Sequence, residues 1–234
     1  MEHSLEGSRK AWQANAEFWD KAMGDHSNEF HREVVRPKVT ELLDIQPDDF
    51  ILDIACGNGN YSAYLAEQGV NVVAFDYSPK MIELAETRQA RYCDKIEFCV
   101  ADATNEKSLM SLKRQKPFTK AVSNMAIMDI SEISALFDCV HRMLIHNGVF
   151  VFATQHPCFV TLTEKYLTPH SYYGEAIYGQ PQKQCYYHRS MQDIFHLCLK
   201  SGFVIDGFFE QGLGDKEIPD IIIVRARKIQ KSQE

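Results

Sequence analysis

The sequence predicts an α/β fold: a mostly parallel, seven-stranded sheet with helices on both faces and a reversed last strand. Three observations predict it. From residue 50 onward, short apolar or β-branched runs alternate with stretches of 3.6-residue periodicity, which is the pattern of βαβ units. A glycine-rich turn, Asp53-Ile-Ala-Cys-Gly-Asn-Gly59, joins the first such run to the helix after it. The last two runs, residues 203–210 and 220–227, are joined by a linker too short for a crossover helix and therefore pair antiparallel.

Each element has its own justification. Residues 9–23 place Trp12, Ala16, Trp19 and Met23 at steps of four, three and four, one face of an amphipathic helix. A second helix over 30–44 turns Val35, Val39, Leu42 and Leu43 inward, with Pro37 as a kink or restart. The run FILDIA at 50–55 is the first strand, and the helix over 61–68 ends at Gly69. Strand 71–76, helix 79–91, strand 96–101, a short helix at 109–114, strand 119–124, helix 132–144 and strand 148–155 continue the alternation. Residues 156–187 break it with Pro157, Pro169, Pro181 and many aromatics, and read as an insertion over the sheet. Helix 189–201, closed by Gly202, leads into the last two strands.

Residues 1–44 thus form an N-terminal helical cap segment, and 45–234 the main domain, with a lid insertion at 156–188. Two aromatic excesses coincide with these covers. Both tryptophans, Trp12 and Trp19, lie in the first segment, and six of the ten tyrosines lie in the insertion.

Composition excludes several classes. The chain has 234 residues, 45% hydrophobic, with a net charge of −7, which disfavours a protein bound to nucleic acid through a basic face. No apolar run reaches the ~20 residues that span a bilayer, and the start lacks the apolar core of a signal peptide, so a cytoplasmic protein is expected. Seven cysteines without paired ligand spacing indicate neither a disulfide framework nor a metal site, and most read as small buried hydrophobes. The basic stretch from Arg225 to Lys231 reads as a solvated tail.

The glycine turn lets a ligand approach the backbone at the carboxyl ends of the strands, where a helix N-terminus offers free N–H donors. Asp76 ends the second strand, where an acid can accept both hydroxyls of a ribose, and Asp102 ends the third. The segments ILDIACGNGNYS, VVAFDYSPKMIELA, VADAT, AVSNMAIMDI and RMLIHNGVFVFATQHPCF together resemble the class I S-adenosylmethionine-dependent methyltransferases, over roughly residues 28–227. The HPCF segment is similar to a small-molecule subset.

That resemblance implies a Rossmann-like fold, S-adenosyl-L-methionine as cofactor, S-adenosyl-L-homocysteine as product and a small-molecule acceptor. It places Asp53, Ala55, Cys56, Gly57 and Gly59 under the methionine portion. Asp76 holds the ribose, flanked by Tyr77 and Met81; Asp102 and Ala103 face the adenine; Asn124 and Met125 complete the pocket. Ala55 stands where the family has its first glycine, and a small shift is expected there.

Other residues keep two readings each. His156, just after the fifth strand, and His188 are either bases for the acceptor or histidines bonded within loops. Tyr172, Tyr173, Tyr186 and Tyr187 line an acceptor pocket or pack the insertion. Trp19 and Phe30 touch the site or belong to the core. Two competing functions stand beside methyl transfer: a non-catalytic S-adenosylmethionine-binding module, and an NAD(P)-dependent oxidoreductase, since Gly57-Asn-Gly59 nearly opens a dinucleotide fingerprint.

Overall fold

The computed structural model describes residues 5–160, 162–215 and 217–229. Helix α1 spans Leu5–Met23; a π-helical turn, His31–Val35, runs into α2, Arg36–Leu43. Pro37 sits in the first turn of α2, where its missing N–H is harmless, so it restarts the helix. Then follow β1 (Phe50–Ile54), α3 (Asn60–Glu67), β2 (Asn71–Asp76), α4 (Pro79–Arg88), β3 (Ile96–Val100), α5 (Glu106–Met110), β4 (Phe118–Asn124), α6 (Ser134–Met143) and β5 (Leu144–Gln155). The insertion contributes β6 (His170–Gly174) and β7 (Gln184–His188), and the chain continues through α7 (Met191–Lys200), β8 (Phe203–Gln211) and β9 (Ile221–Lys228).

The main sheet has the order β3-β2-β1-β4-β5-β9-β8, with β9 antiparallel to both its neighbours. Alternate residues of the strands feed two apolar layers. Leu52, Phe150, Phe152, Ile222 and Val224 pack with Phe137 on one face, and Ile51, Val149, Val151, Ile221 and Ile223 pack with Val39 and Leu43 on the other. Chain direction across the sheet switches between β1 and β4, which opens a crevice at their carboxyl ends.

Several expectations shift. The short helix begins at Glu106, three residues early, because the Asn105 side chain accepts the Ser108 N–H at 2.9 Å and caps it there. Helix α4 stops at Arg88 and a separate 3-10 turn covers Ala90–Tyr92. Residues 170–188 hold an antiparallel hairpin where the sequence showed only an irregular insertion. Of the cysteines, only Cys139, Cys185 and Cys198 are buried. The basic stretch is not a tail as far as Lys228: it belongs to β9, where Arg225 and Arg227 pair with Asp206, while Lys231 lies outside the described residues. No helix among the described residues is long and apolar enough to cross a membrane.

Helix α1 lies over the strand ends and is fastened on both sides. Arg88 of α4 grips Asp20 with two bonds of 2.7 Å, and Gln13 accepts from the Ser78 hydroxyl at 2.8 Å. Toward the insertion, Asn15 donates to the Gln182 carbonyl at 2.7 Å and accepts the Gln182 N–H at 2.9 Å.

Candidate active site

A cavity of about 500 Å3 lies between the strand ends, α1 and the insertion. Its floor begins at Asp53, 2% exposed, whose Oδ2 accepts the Ser62 hydroxyl at 2.5 Å. Burial pushes the Asp53 carboxyl up to about 7; the Ser62 bond opposes this and the charge of Asp76 adds to it. Ala55 follows with φ +54, the left-handed backbone that a glycine takes without strain, so the loop keeps its path and alanine bears the cost. Gly57, at φ +57, lies under the Trp19 ring so closely that a Cβ there would meet it at 3.0 Å. Gly59 serves packing: a Cβ would come within 2.7 Å of the Phe98 ring.

Asp76 is locked by the turn it ends. Its Oδ2 accepts the Gly57 N–H at 3.1 Å and its Oδ1 the Ser78 N–H at 2.9 Å, leaving further lone pairs for a ligand. Burial raises its pKa and these backbone donors hold it down. Asp102 turns one oxygen, Oδ1, back to Thr104, at 2.8 Å from the N–H and 2.7 Å from the hydroxyl. Met125, like Ala55, is a non-glycine residue at positive φ, +53, beside Asn124, whose buried Oδ1 has no hydrogen-bond partner among the described residues.

Of the twelve residues the resemblance placed at the cofactor, all but Gly59 line this one cavity. Trp19, Phe30, Tyr186 and Tyr187 line it as well. The two histidines proposed as bases do not. His156 is 1% exposed, its Nδ1 accepting the Cys158 N–H at 3.1 Å and its Nε2–H donating to Glu210 at 2.7 Å, so both ring nitrogens tie the loop after β5 to β8. His188 donates from Nε2 to the Tyr166 carbonyl at 2.8 Å. Tyr172 and Tyr173 also stand off the wall: the first donates its hydroxyl to Gln155 at 2.8 Å, and the second is exposed. These four are corrections to the expected acceptor site; they organise the insertion.

Sequence reasoning missed other wall residues. His31 shares the wall with Trp19, donating Nδ1–H to Asn28 Oδ1 at 2.8 Å, which leaves Nε2 an acceptor. Burial, with the Arg36 charge adding, lowers its pKa to about 4, so it stays neutral at pH 7. Asp129 and Gln184 also line the cavity, 3.2 Å apart. Behind them the half-buried Arg189 donates to the carbonyls of Ile127, Ile130 and Ser131 at 3.1, 2.6 and 2.8 Å and so fixes the turn that carries Asp129. An acid inside the apolar segment AIMDI was the one signal available for Asp129; His31, Gln184 and Arg189 had none.

Comparison with known proteins agrees with this geometry. The model of the methyltransferase domain family matches residues 45–202. An uncharacterized protein of Haemophilus influenzae is 24% identical over 233 residues, covering 85% of this chain and 88% of its own. A crystal structure of an S-adenosylmethionine-dependent methyltransferase from Methanosarcina mazei superposes with a TM-score of 0.66 at 21% identity, covering 84% of this chain and 99% of that one. The magnesium protoporphyrin IX methyltransferase of Synechocystis, crystallised with S-adenosylmethionine, gives 0.66 at 15% identity over 97% of this chain and 100% of that one. The two solved structures share the fold; the family model shows the family. The chain belongs to the methyltransferase domain family and is an S-adenosylmethionine-dependent methyltransferase, which removes the oxidoreductase reading.

Proposed function

We propose that the cavity holds S-adenosylmethionine along the ends of β1 to β4 and that a small organic acceptor lies beside it, under the aromatic roof of Trp12, Trp19, Tyr186 and Tyr187. The observation that carries this is a single cavity with two kinds of wall. Asp53, Asp76, Asp102 and Asn124 line one side, and the aromatic and polar residues of α1 and the insertion line the other. A regulatory module that only bound the cofactor would have no use for the second wall.

The residues fit the cofactor. Asp53, acidic and buried, suits the α-amino group; Asp76, held by two backbone N–H donors, suits paired ribose hydroxyls; the orphaned Asn124 Oδ1 is an acceptor in want of a donor. Tyr77 and Met81 give flat and apolar contact on either side of Asp76. When bound, the cofactor supplies an electrophilic methyl group on a positively charged sulfur.

The chain's contribution is to align and to exclude water. Trp19 over Gly57 covers the loop, while α1 and the insertion meet through Asn15 and Gln182. Holding two reactants in line contributes up to ~7–11 kcal/mol toward the barrier, and a dry site favours a step in which the sulfonium charge disappears from the sulfur. Calorimetry with S-adenosylmethionine, S-adenosylhomocysteine and the nicotinamide dinucleotides tests the cofactor. Binding of both sulfur compounds and of neither dinucleotide is the expected outcome, and the reverse pattern overturns the reading. Screening small acceptors for S-adenosylhomocysteine release tests the second half.

A further inference from the structure

Asp129 stands apart from the acids assigned to the cofactor. It ends the 3-10 turn Ile127–Asp129 behind β4 and shares its stretch of wall with Trp12, Met128, Gln184 and Tyr186. Gln184 Nε2 donates to its Oδ1 at 3.2 Å, and the Trp12 indole N–H donates to it as well. These neutral donors orient the carboxyl without cancelling its charge. Arg189, the cation that follows β7, spends its guanidinium on backbone carbonyls of the segment that carries Asp129. Two further acids, Glu175 and Asp220, line the cavity, and its basic residues, His31 and Arg36, come from the π-helical turn and α2.

We propose that Asp129 recognises the methyl acceptor and takes its proton, and that the acceptor is a primary or secondary amine on an aromatic or apolar frame. The inference rests on the methyltransferase reading of this cavity. A carboxylic acid substrate would meet Asp129 as a like charge. An alcohol needs a stronger base than any side chain this stretch of wall offers. An amine arrives as an ammonium, pairs with the carboxylate, and can stack its frame on Trp12 and Tyr186.

The step balances. The ammonium gives one proton to Asp129 and its nitrogen regains a lone pair. A nitrogen–carbon bond then forms to the methyl carbon as the carbon–sulfur bond breaks, and that electron pair stays on sulfur. The positive charge moves to the methylated nitrogen, Asp129 returns its proton to solvent, and nothing is oxidised or reduced. Burial holds the Asp129 carboxyl well above the usual carboxylate range, against the Gln184 and Trp12 donors and with the Asp76 charge adding, which makes it a better proton acceptor than a surface aspartate.

The test uses the full chain saturated with S-adenosylhomocysteine, titrated calorimetrically with 2-phenylethylamine, 2-phenylethanol and 3-phenylpropanoate. The amine is expected to bind at least about tenfold tighter than either control, the size of one charge-assisted hydrogen bond. Asp129→Asn retains the shape and the Gln184 contact. It is expected to bring the amine down to the affinity of the alcohol while S-adenosylhomocysteine still binds. An amine that binds no better than the alcohol, or that is indifferent to Asp129→Asn, overturns the proposal. Failure of the wild-type chain to bind S-adenosylhomocysteine overturns the cofactor reading beneath it, a distinct result.

Discussion

Replacing Asp53 by asparagine is expected to stabilise the ligand-free chain while removing its affinity for the cofactor. The carboxyl is almost fully buried at the end of β1 and titrates at about 7, against ~3.9 in an unfolded chain. Because the folded value is the higher, this group makes no difference to stability below about pH 4. Its cost accumulates as pH rises toward 7 and is constant above. Three units at ~1.4 kcal/mol each set an upper bound of about 4 kcal/mol, and relaxation of a buried site brings the expected gain at pH 8 to about 2 kcal/mol. Asparagine keeps an oxygen to accept the Ser62 hydroxyl, so that bond survives. In a chain of this length, the gain corresponds to a rise in Tm of about 4–8 °C. Thermal unfolding without ligand at pH 8 and pH 5, followed by circular dichroism, reads the effect. The advantage at pH 5 is expected to shrink to about a third, since the folded carboxyl is protonated there. Calorimetry with S-adenosylhomocysteine reads the cost in binding. A variant that melts below wild type at pH 8, or one whose advantage ignores pH, would refute the argument that an uncompensated buried charge sits at the end of β1.

Asp76→Ala removes the carboxylate proposed to accept the ribose hydroxyls and is expected to weaken S-adenosylhomocysteine about 100-fold by calorimetry; unchanged affinity would take Asp76 out of that role. Gly57→Ala places a Cβ against the Trp19 ring and is expected to weaken the cofactor, and Trp19→Ala in the same chain should restore part of the loss by relieving the contact. Ala55→Gly relieves a left-handed φ and is expected to raise the denaturant midpoint by up to about 1 kcal/mol of stability; a fall would show that the loop carries no strain there. Arg189→Met strands three carbonyls and is expected to cost about 3 kcal/mol or more in urea unfolding, with turnover falling beyond the loss of folded protein.

The sheet and the strand-end wall of the cavity were legible because their signals are local. Asp53, the two glycines and Asp76 lie at the ends of adjacent elements whose periodicity marks them, and the strand order then brings β1, β2 and β4 side by side. The acceptor side was legible only in outline. Aromatic excess located the covers, but which rings face inward depends on the β6–β7 pairing. Tyr186 and Tyr187 line the cavity while Tyr172 and Tyr173, across the hairpin, do not. His156 misled for a physical reason: a position just beyond a strand end suits a base and equally suits a loop tie, and only Glu210, 54 residues further on, decides between them. Arg189 acts on carbonyls some 60 residues away, a relation that leaves no trace in spacing.

The paired hydrogen bonds between Asn15 and Gln182 join residues 167 positions apart. A contact of that range adds loop-closure entropy to its cost, so it forms after the sheet has brought both segments near. In reverse, it is among the first to part when the molecule fluctuates, since two bonds at the edge of a cover yield before a strand in the core. The order of folding thus also names the weakest seam of the cover. A partly opened form of this kind keeps an intact sheet and a parted seam beside the cavity.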